Sequence, residues 1–406
     1  MKKYGIAPMI CQVEHPEFGI IGFVVVNSSV HIRGVGGVRM TPDVSIQETK
    51  QLARAMTYKF GFLNMPCSGA KTGIIASPNW YPDRKQEVIN YFGAAIGPLL
   101  RNRVYTPGPD IGFGRVELWD LLHGAGFAQG ERPATERRKA AGTTGYTTAI
   151  TTFQSAKAAI EILGMEMKKV KVAIEGFGMV GSTVAQFFHK EGAKVVAISN
   201  IHGAFYHPDG LIVDELIRLR EQEGDKGVLQ YKNAQSIAHG DLLELPVDVM
   251  IPAAKIWTIH SKNIEKLKCR IISSAANCPL HPEVENNFLK QKDIIFIPDF
   301  VANCGGVLGA NLHGTTQSKL NLMHQKFGDM VLDLMRKSLK TNIAFEQLAR
   351  EIAEKNIVSY QNNPQKARRE AKLLDITAIF SSQRFVPSKI KDILMKRYLR
   401  KWIPQT

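Results

Sequence analysis

The sequence predicts an α/β protein of two domains, the second a doubly wound parallel sheet, with a tail of helices behind it. Three observations predict this. The chain has 406 residues and 44% apolar content, enough for two separate cores. Strand-like and helix-like segments alternate along most of its length. A glycine motif, Gly176 to Gly181 in GFGMVG, stands between a β-branched run and a helical stretch, the setting of a nucleotide-binding loop.

The elements follow in order. IIGFVVVN, from Ile20 to Asn27, reads as a buried strand. Ser45 precedes Glu48 at capping-box spacing, and the helix it opens aligns Leu52, Ala55, Met56 and Lys59 on one face. Lys59 therefore closes an otherwise apolar stripe. GIIAS from Gly73 is the next strand candidate, directly after Lys71. An apolar helix from Glu87 to Leu100 leads to the strand-like RVYTP and to a loop carrying Asp110, a common place for catalytic groups. The charged stretch from Arg132 to Lys139 marks a boundary, so the expected divisions are 1–140, 141–327 and 328–406. GTTGY, from Gly142, opens a helix that runs through Leu163. KVAIEGFGMVGSTVAQFFHKEGAKVVAISN then reads as strand, glycine loop, helix and strand, and DVMIPAA, CRIISSA and DIIFIP supply three further strands. Beyond Gly328 only helices are read.

Composition excludes several classes. The net charge of +15 would suit a polyanion, but much of the excess lies in KARREAK and KIKDILMKRYLRKW, where apolar residues recur at helical spacing. A solvated amphipathic helix accounts for it, and no nucleic acid partner is expected. Cys11, Cys67, Cys269, Cys278 and Cys304 lack paired spacing, which argues against a disulfide framework or a metal site and fits a reducing cytoplasm. The first residues meet Pro8, His15 and acids before any long apolar run, so neither a signal peptide nor a membrane span is expected.

Two ammonium groups and one carboxylate, Lys59, Lys71 and Asp110, suit the chemistry of an amino acid. A substrate carboxylate needs a fixed cation, and a second lysine close to the first has its charged form disfavoured, which prepares it to accept a proton. Asp110 is an anion matched to an ammonium and to the iminium that follows loss of hydride. In the glycine loop, Gly176 permits the tight turn, Gly178 lets backbone approach a pyrophosphate, and Gly181 allows helix to pack on strand. The acid that would hold the ribose of NAD is replaced by Asn200, with His202 nearby, so NAD is expected with NADP as the alternative.

The segments GVGGVRMTP, MTYK, PCSGAKTGI, PGPDIGFG, TTGYTTA, GFGMVGS, PAA, AAN and PDFVANCGGV occur in an order that resembles the Glu/Leu/Phe/Val amino acid dehydrogenase family, from about Gln12 to Gly314. The resemblance implies an amino-terminal α/β substrate domain of the dimerisation type and a Rossmann domain for NAD(P). It also implies carboxyl-terminal helices packing back toward the first domain, and a homo-oligomer. Lys59 would bind the substrate α-carboxylate, Lys71 would be the catalytic base, and Asp110 would work beside it, with Gly37 in the substrate wall. Thr144 would lie near the nicotinamide amide, Met179 and Val180 in the nucleotide loop, and Ala253 along the cofactor. Asn277 and Asn303 would lie near the nicotinamide ribose and the substrate. The products would be a 2-oxo acid and ammonia.

Departures from the family pattern bear on the side chain of the substrate. Glutamate-specific members resemble this chain but carry a lysine in place of Val35 and a serine in place of Ala310. A side-chain carboxylate buried against Val35 and Ala310 would lack partners at a cost of several kcal/mol. Gly108 removes a further side chain from the expected pocket wall. An apolar L-amino acid of the leucine, valine or phenylalanine type is therefore the expected substrate, nearer the leucine/phenylalanine-type branch. A glutamate dehydrogenase with an altered clamp, or a nucleotide-binding regulator without catalysis, are the alternatives.

Overall fold

The computed structural model describes residues 8–28, 33–76, 80–128, 143–284, 289, 292–311 and 320–382. They fall into two compact units. The first joins the described residues up to 128 with those from Ile352 onward, and the second runs from 143 to Glu351. The charged stretch taken as the boundary and the segment KIKDILMKRYLRKW lie outside the described residues.

The first unit contains β1 (Met9–His15), β2 (Gly19–Val26), β3 (Gly34–Met40), α1 (Ile46–Phe62), β4 (Ser68–Ile74), α2 (Pro82–Arg101), β5 (Tyr105–Pro109) and α3 (Arg115–Gly124). The sheet order is β1-β2-β4-β3-β5, with β3 parallel to both of its neighbours. One face buries Val24, Val26, Val38, Met40, Ala70 and Ile74 in a core shared with Phe92 and Ile96 of α2 and Leu118 and Leu121 of α3. The opposite face of β4 carries α1. A Cβ at Gly69 would lie 2.2 Å from the Ala53 carbonyl oxygen and from the Thr57 nitrogen, so only glycine allows this approach. Thr57 Oγ1 ties the contact, accepting from the Gly69 N–H at 3.1 Å and from Asn27 Nδ2 at 3.0 Å.

Strand β4 begins earlier than GIIAS suggests, and Lys71 lies at its centre, registered with Val25 of β2. Glycines at 69 and 73 hide the strand from a propensity reading, yet they are what the overlying helix requires. Ser45 caps α1, accepting the Glu48 N–H at 3.1 Å, while the Glu48 carboxylate turns to Arg39.

The second unit contains α4 (Thr143–Ile162), β6 (Lys171–Glu175), α5 (Met179–Lys190), β7 (Lys194–Ser199), β8 (Ala204–Tyr206), α6 (Val213–Glu223), β9 (Gln235–Ile237), α7 (Asp241–Glu244), β10 (Val249–Pro252), β11 (Ile271–Ser273), β12 (Ile295–Ile297), α8 (Asp299–Ala302), α9 (Gly305–Asn311) and α10 (Gly328–Thr341). Its sheet order is β12-β11-β10-β6-β7-β8-β9. The strands from β12 to β7 are parallel, as a doubly wound sheet requires, but β8 and β9 extend it antiparallel. The reason is local: Asn200 N–H bonds the Gly203 carbonyl at 2.8 Å, and so short a turn cannot make a parallel crossover.

The helices after residue 328 divide. Helix α10 packs on α4 within the second unit, burying Met330, Val331, Leu334 and Met335. Helix α11 (Phe345–Asn362) contributes its residues from Ile352 to the first unit, followed there by α12 (Pro364–Ser382). Tyr58 Oη donates to Glu354 at 2.9 Å, Asn356 Nδ2 donates to the Gly61 carbonyl at 3.0 Å, and Tyr360 Oη donates to the Asn64 carbonyl at 2.9 Å. The apolar stripe of α10 is what keeps it on α4. Among the described residues, no helix is long and apolar enough to cross a membrane, and no group of His, Cys, Asp and Glu could hold a metal ion.

Candidate active site

Residues in register on parallel strands point to one face, and residues two apart on a strand share it. Val35 is registered with Gly69 and Thr106, and Gly37 with Gly108. Val35, Gly37 and Arg39 of β3, Lys71 of β4 and Gly108 of β5 therefore share the face that α1 covers at Gly69. Asp110 follows β5 and is held by paired backbone hydrogen bonds with Phe113, each 3.0 Å. Its Oδ2 lies 2.6 Å from Lys71 Nζ. A Cβ at Gly37 would stand 2.9 Å from Asp110 Cβ and 3.4 Å from Lys71 Nζ, so the missing side chain leaves room for the pair. Lys71 is 4% exposed, and Lys59, in the last turn of α1, is 5% exposed. At Gly108 a Cβ would meet nothing within 4 Å, so that part of the face is open.

Arg39 was missed by the sequence reading. It is 7% exposed, and its Nε donates to Asp110 Oδ2 at 3.2 Å while its Nη1 pairs with Glu48 Oε1. The available signal was its position two residues after Gly37, on the same face. Burial alone would raise the Asp110 carboxyl, but the charges of Lys71 and Arg39, with hydrogen bonds from Lys71 and the Ile111 backbone, hold it below the ordinary carboxylate value. For Arg39, burial works against the charged form and is outweighed by Asp110 and Glu48, so its pKa is raised. The arrangement can bind an ammonium and pass protons between an amine and a carboxylate.

In the second unit, Gly176 directly follows β6 at φ +102°, and its Cβ would lie 2.7 Å from the Ala253 carbonyl oxygen. A Cβ at Gly181 would come within 1.8 Å of the Gly176 oxygen. Gly178 differs: nothing lies within 4 Å of its Cβ position, at the N-terminus of α5. That open cradle beside helix N–H groups fits the pyrophosphate of a nicotinamide dinucleotide. Met179, 59% exposed, and half-buried Val180 begin α5. Gly145, next to Thr144 in the first turn of α4, lies so near Met179 that a Cβ would stand 2.5 Å from its Sδ. Ala253 follows β10, its N–H bonded to the Glu175 carbonyl at 2.7 Å.

Asn200 directly follows β7, where the sequence places it, but its carboxamide serves its own turn. Oδ1 accepts from the His202 and Gly203 N–H groups at 2.9 and 3.2 Å, and Nδ2 donates to the Asp225 carbonyl at 2.7 Å. Asn303 is buried, and its Nδ2 donates to Asn277 Oδ1 at 3.0 Å and to the Ala275 carbonyl at 3.1 Å. Its Oδ1 is buried with no hydrogen-bond partner among the described residues, so a donor is wanted there. Ala310 lies on α9 of this unit. A second residue missed from sequence is Glu175, directly before the loop. Burial pushes its carboxyl up to about 7, and the Thr258 hydroxyl stands close enough to offset part of that rise without meeting hydrogen-bond geometry.

Comparison with known proteins agrees with this anatomy. A sequence model of the Glutamate/Leucine/Phenylalanine/Valine dehydrogenase family matches residues 138–381, and one of the dimerisation domain of Glu/Leu/Phe/Val dehydrogenases matches residues 10–121. Glutamate dehydrogenase of Thermotoga maritima is 34% identical over 286 residues, 67% of this chain and 67% of that protein. An NAD-specific glutamate dehydrogenase of Staphylococcus aureus is 32% identical over 284 residues, 67% of this chain and 66% of that protein. The chain thus spans about two thirds of the length of these curated relatives. Among solved structures, the Leu-bound hetero-hexameric glutamate dehydrogenase of Thermus thermophilus has a TM-score of 0.67 at 20% identity, covering 89% of this chain and 88% of that one. L-Tryptophan dehydrogenase of Nostoc punctiforme has a TM-score of 0.58 at 21% identity, covering 89% and 98%. At such identity the structural likeness shows the shared fold. The chain belongs to the Glu/Leu/Phe/Val dehydrogenase family, a family of nicotinamide-dependent amino acid dehydrogenases.

Proposed function

We propose that this dehydrogenase deaminates an apolar L-amino acid to its 2-oxo acid and ammonia. The observation that carries the reading is the sheet face on which the pair of buried Lys71 and half-buried Asp110 stands with the uncharged Val35 and the open Gly108. Lys59 holds the substrate α-carboxylate, and Asp110 receives the α-ammonium in place of the Lys71 charge. Lys71 and the substrate nitrogen each release a proton to solvent, leaving a neutral lysine and a neutral amine whose lone pair forms the iminium as hydride leaves. The bound nicotinamide supplies the hydride acceptor. With the α-hydrogen gone, Lys71 takes a proton from the water that attacks the iminium carbon. Lys71 then passes that proton to the carbinolamine nitrogen and takes up the hydroxyl proton as the C–N bond breaks, so ammonia leaves and the carbonyl forms. Gly176, Gly178, Met179, Val180 and Gly181 hold the pyrophosphate, with Thr144, Ala253, Asn277 and Asn303 toward the nicotinamide end.

NAD is the expected cofactor. The Asn200 carboxamide is committed to its own turn, and no carboxylate stands at that position to repel a 2′-phosphate, so NADP is the alternative. The dimerisation-domain match supports a homo-oligomer. A second reading, glutamate as substrate, is favoured by the names of the curated relatives. One experiment separates these: reduced-nicotinamide absorbance with leucine, valine, phenylalanine and glutamate, each with NAD and with NADP. Turnover of the apolar amino acids above that of glutamate is expected. Activity confined to glutamate selects the second reading, and silence with every amino acid and 2-oxo acid despite cofactor binding makes the protein a nucleotide-binding regulator.

A further inference from the structure

We propose that Arg39 and Glu48 are positioning residues which fix the Asp110 carboxylate for the substrate amine, an inference that rests on the amino acid dehydrogenase reading of this site. The geometry is that of a relay with alternating charge. Glu48 in the first turn of α1, Arg39 on β3, Asp110 after β5 and Lys71 on β4 follow one another, each in contact with the next. Arg39 uses two different nitrogens of its planar fork, Nε for Asp110 and Nη1 for Glu48, so one rigid group spans carboxylates from two elements. A lysine at this position presents a compact point charge on a flexible stem and lacks the planar fork that meets both carboxylates in fixed directions.

Arg39 and Lys71 converge on the same oxygen of Asp110, Oδ2. With the backbone bond from Ile111, this fixes the plane of the carboxylate as well as its charge. Glu48 in turn prevents the guanidinium from swinging about Asp110. It is a component of the site by virtue of α1, because Glu48 and Lys59 lie about three turns apart on one helix face, roughly 16 Å along the axis. The same helix therefore sets the cation expected for the substrate carboxylate and the orientation of the acid expected for its amine. The other charged or titratable groups on the elements around Asp110 are Tyr105 on β5, which donates to the Gly36 carbonyl at 3.0 Å, Arg115, Glu117, Asp120 and His123 on α3, where Glu117 pairs with Lys85, and Lys50, Arg54, Tyr58 and Lys59 on α1. None of these touches Arg39.

The test uses the full chain with Arg39→Lys, Arg39→Gln, Glu48→Gln and the double variant Arg39→Gln/Glu48→Gln. Turnover and KM are measured across pH with the amino acid and cofactor that the parent uses best. Arg39→Lys and Glu48→Gln are expected to lower kcat by about 10- to 100-fold, the scale of a small misplacement, with KM within about threefold since Lys59 is intact. Arg39→Gln removes a cation beside Asp110, so the acid limb of kcat/KM moves to higher pH, whereas Glu48→Gln does not move it upward. The double variant is expected to be no worse than Arg39→Gln alone, because both residues act through one carboxylate. Values of kcat within twofold of the parent for Arg39→Lys and Glu48→Gln, or an unmoved acid limb in Arg39→Gln, overturn the proposal. If Arg39→Gln does not fold, Glu48→Gln retains the buried guanidinium and decides on kcat alone. A parent silent with all amino acids would instead overturn the dehydrogenase reading. The relay is then judged by carboxyl NMR of the aspartate-labelled chain, with Asp110→Asn to assign the signal. That signal must titrate at higher pH in Arg39→Gln than in the parent, and an unchanged titration rejects the relay.

Discussion

At the scale of single residues, the proposed mechanism makes Lys71 the acceptor of the water proton. Lys71→Ala should lower kcat by about 10²- to 10⁴-fold in a chain whose circular dichroism matches the parent, and near-normal turnover would remove Lys71 from the mechanism. Val35 is registered between Gly69 and Thr106 on the same face. Val35→Lys should therefore raise kcat/KM for glutamate relative to leucine, as read from initial rates with both. Glu175 gives a prediction on stability. Its folded value, about 7, lies above the ordinary 4.5, so the unfolded chain ionises first as pH rises. Stability conferred by the protonated form is complete below about 4.5 and declines until about pH 7, by at most about 3 kcal/mol. Glu175→Gln should consequently gain in melting temperature over the parent between pH 5 and pH 8, and parallel melting curves across that range would contradict it. Lys71, Asp110 and the loop glycines were legible because each sits in a short local motif. Arg39 was not, since its partners Glu48 and Asp110 come from other elements and only the folded sheet brings them to its two nitrogens.

At the scale of elements, α1 and β4 form the unit on which the site depends. Gly69→Ala places a methyl group against backbone atoms of Ala53 and Thr57, which cannot rotate away, so α1 must lift from the strand. A loss of about 1–3 kcal/mol is expected. KM for the amino acid should rise alongside, since Lys59 travels with the helix. A lowered melting temperature with unchanged KM would separate the helix from substrate binding. The same glycines explain what sequence reading saw here: α1 was evident from its cap and apolar stripe, while β4 was placed late and β3 was recognised only as a glycine-rich motif. Strand propensity rewards branched side chains, and these two strands omit them where a helix or a lysine needs the space. In the second unit the parallel core was legible from its apolar runs, but the antiparallel β8 and β9 are three residues each and carry too little pattern to read.

At the scale of the whole molecule, the first unit is discontinuous in sequence. Its carboxyl-terminal part supplies hydrogen bonds to Tyr58 and to the Gly61 and Asn64 carbonyls at the end of α1. Truncation after Glu351 should abolish turnover and lower the melting temperature, while affinity for reduced nicotinamide dinucleotide, followed by fluorescence, stays within about threefold. Loss of that affinity would show the cofactor loop to depend on residues 352–406. The two-unit plan was legible because the change from one alternating pattern to another is a property of long stretches. That helices after 328 divide between units was not, because both groups read simply as amphipathic. This division also orders events during biosynthesis. Strands β1 to β5 leave the ribosome first, yet the helix that completes their unit emerges only after more than two hundred further residues, a delay of tens of seconds at ordinary rates of synthesis. Until then the end of α1 near Lys59 lacks its covering helix, so the site begun before the nucleotide-binding half is finished after it, and the nascent chain carries the Gly61 and Asn64 carbonyls without these partners while that half is being made.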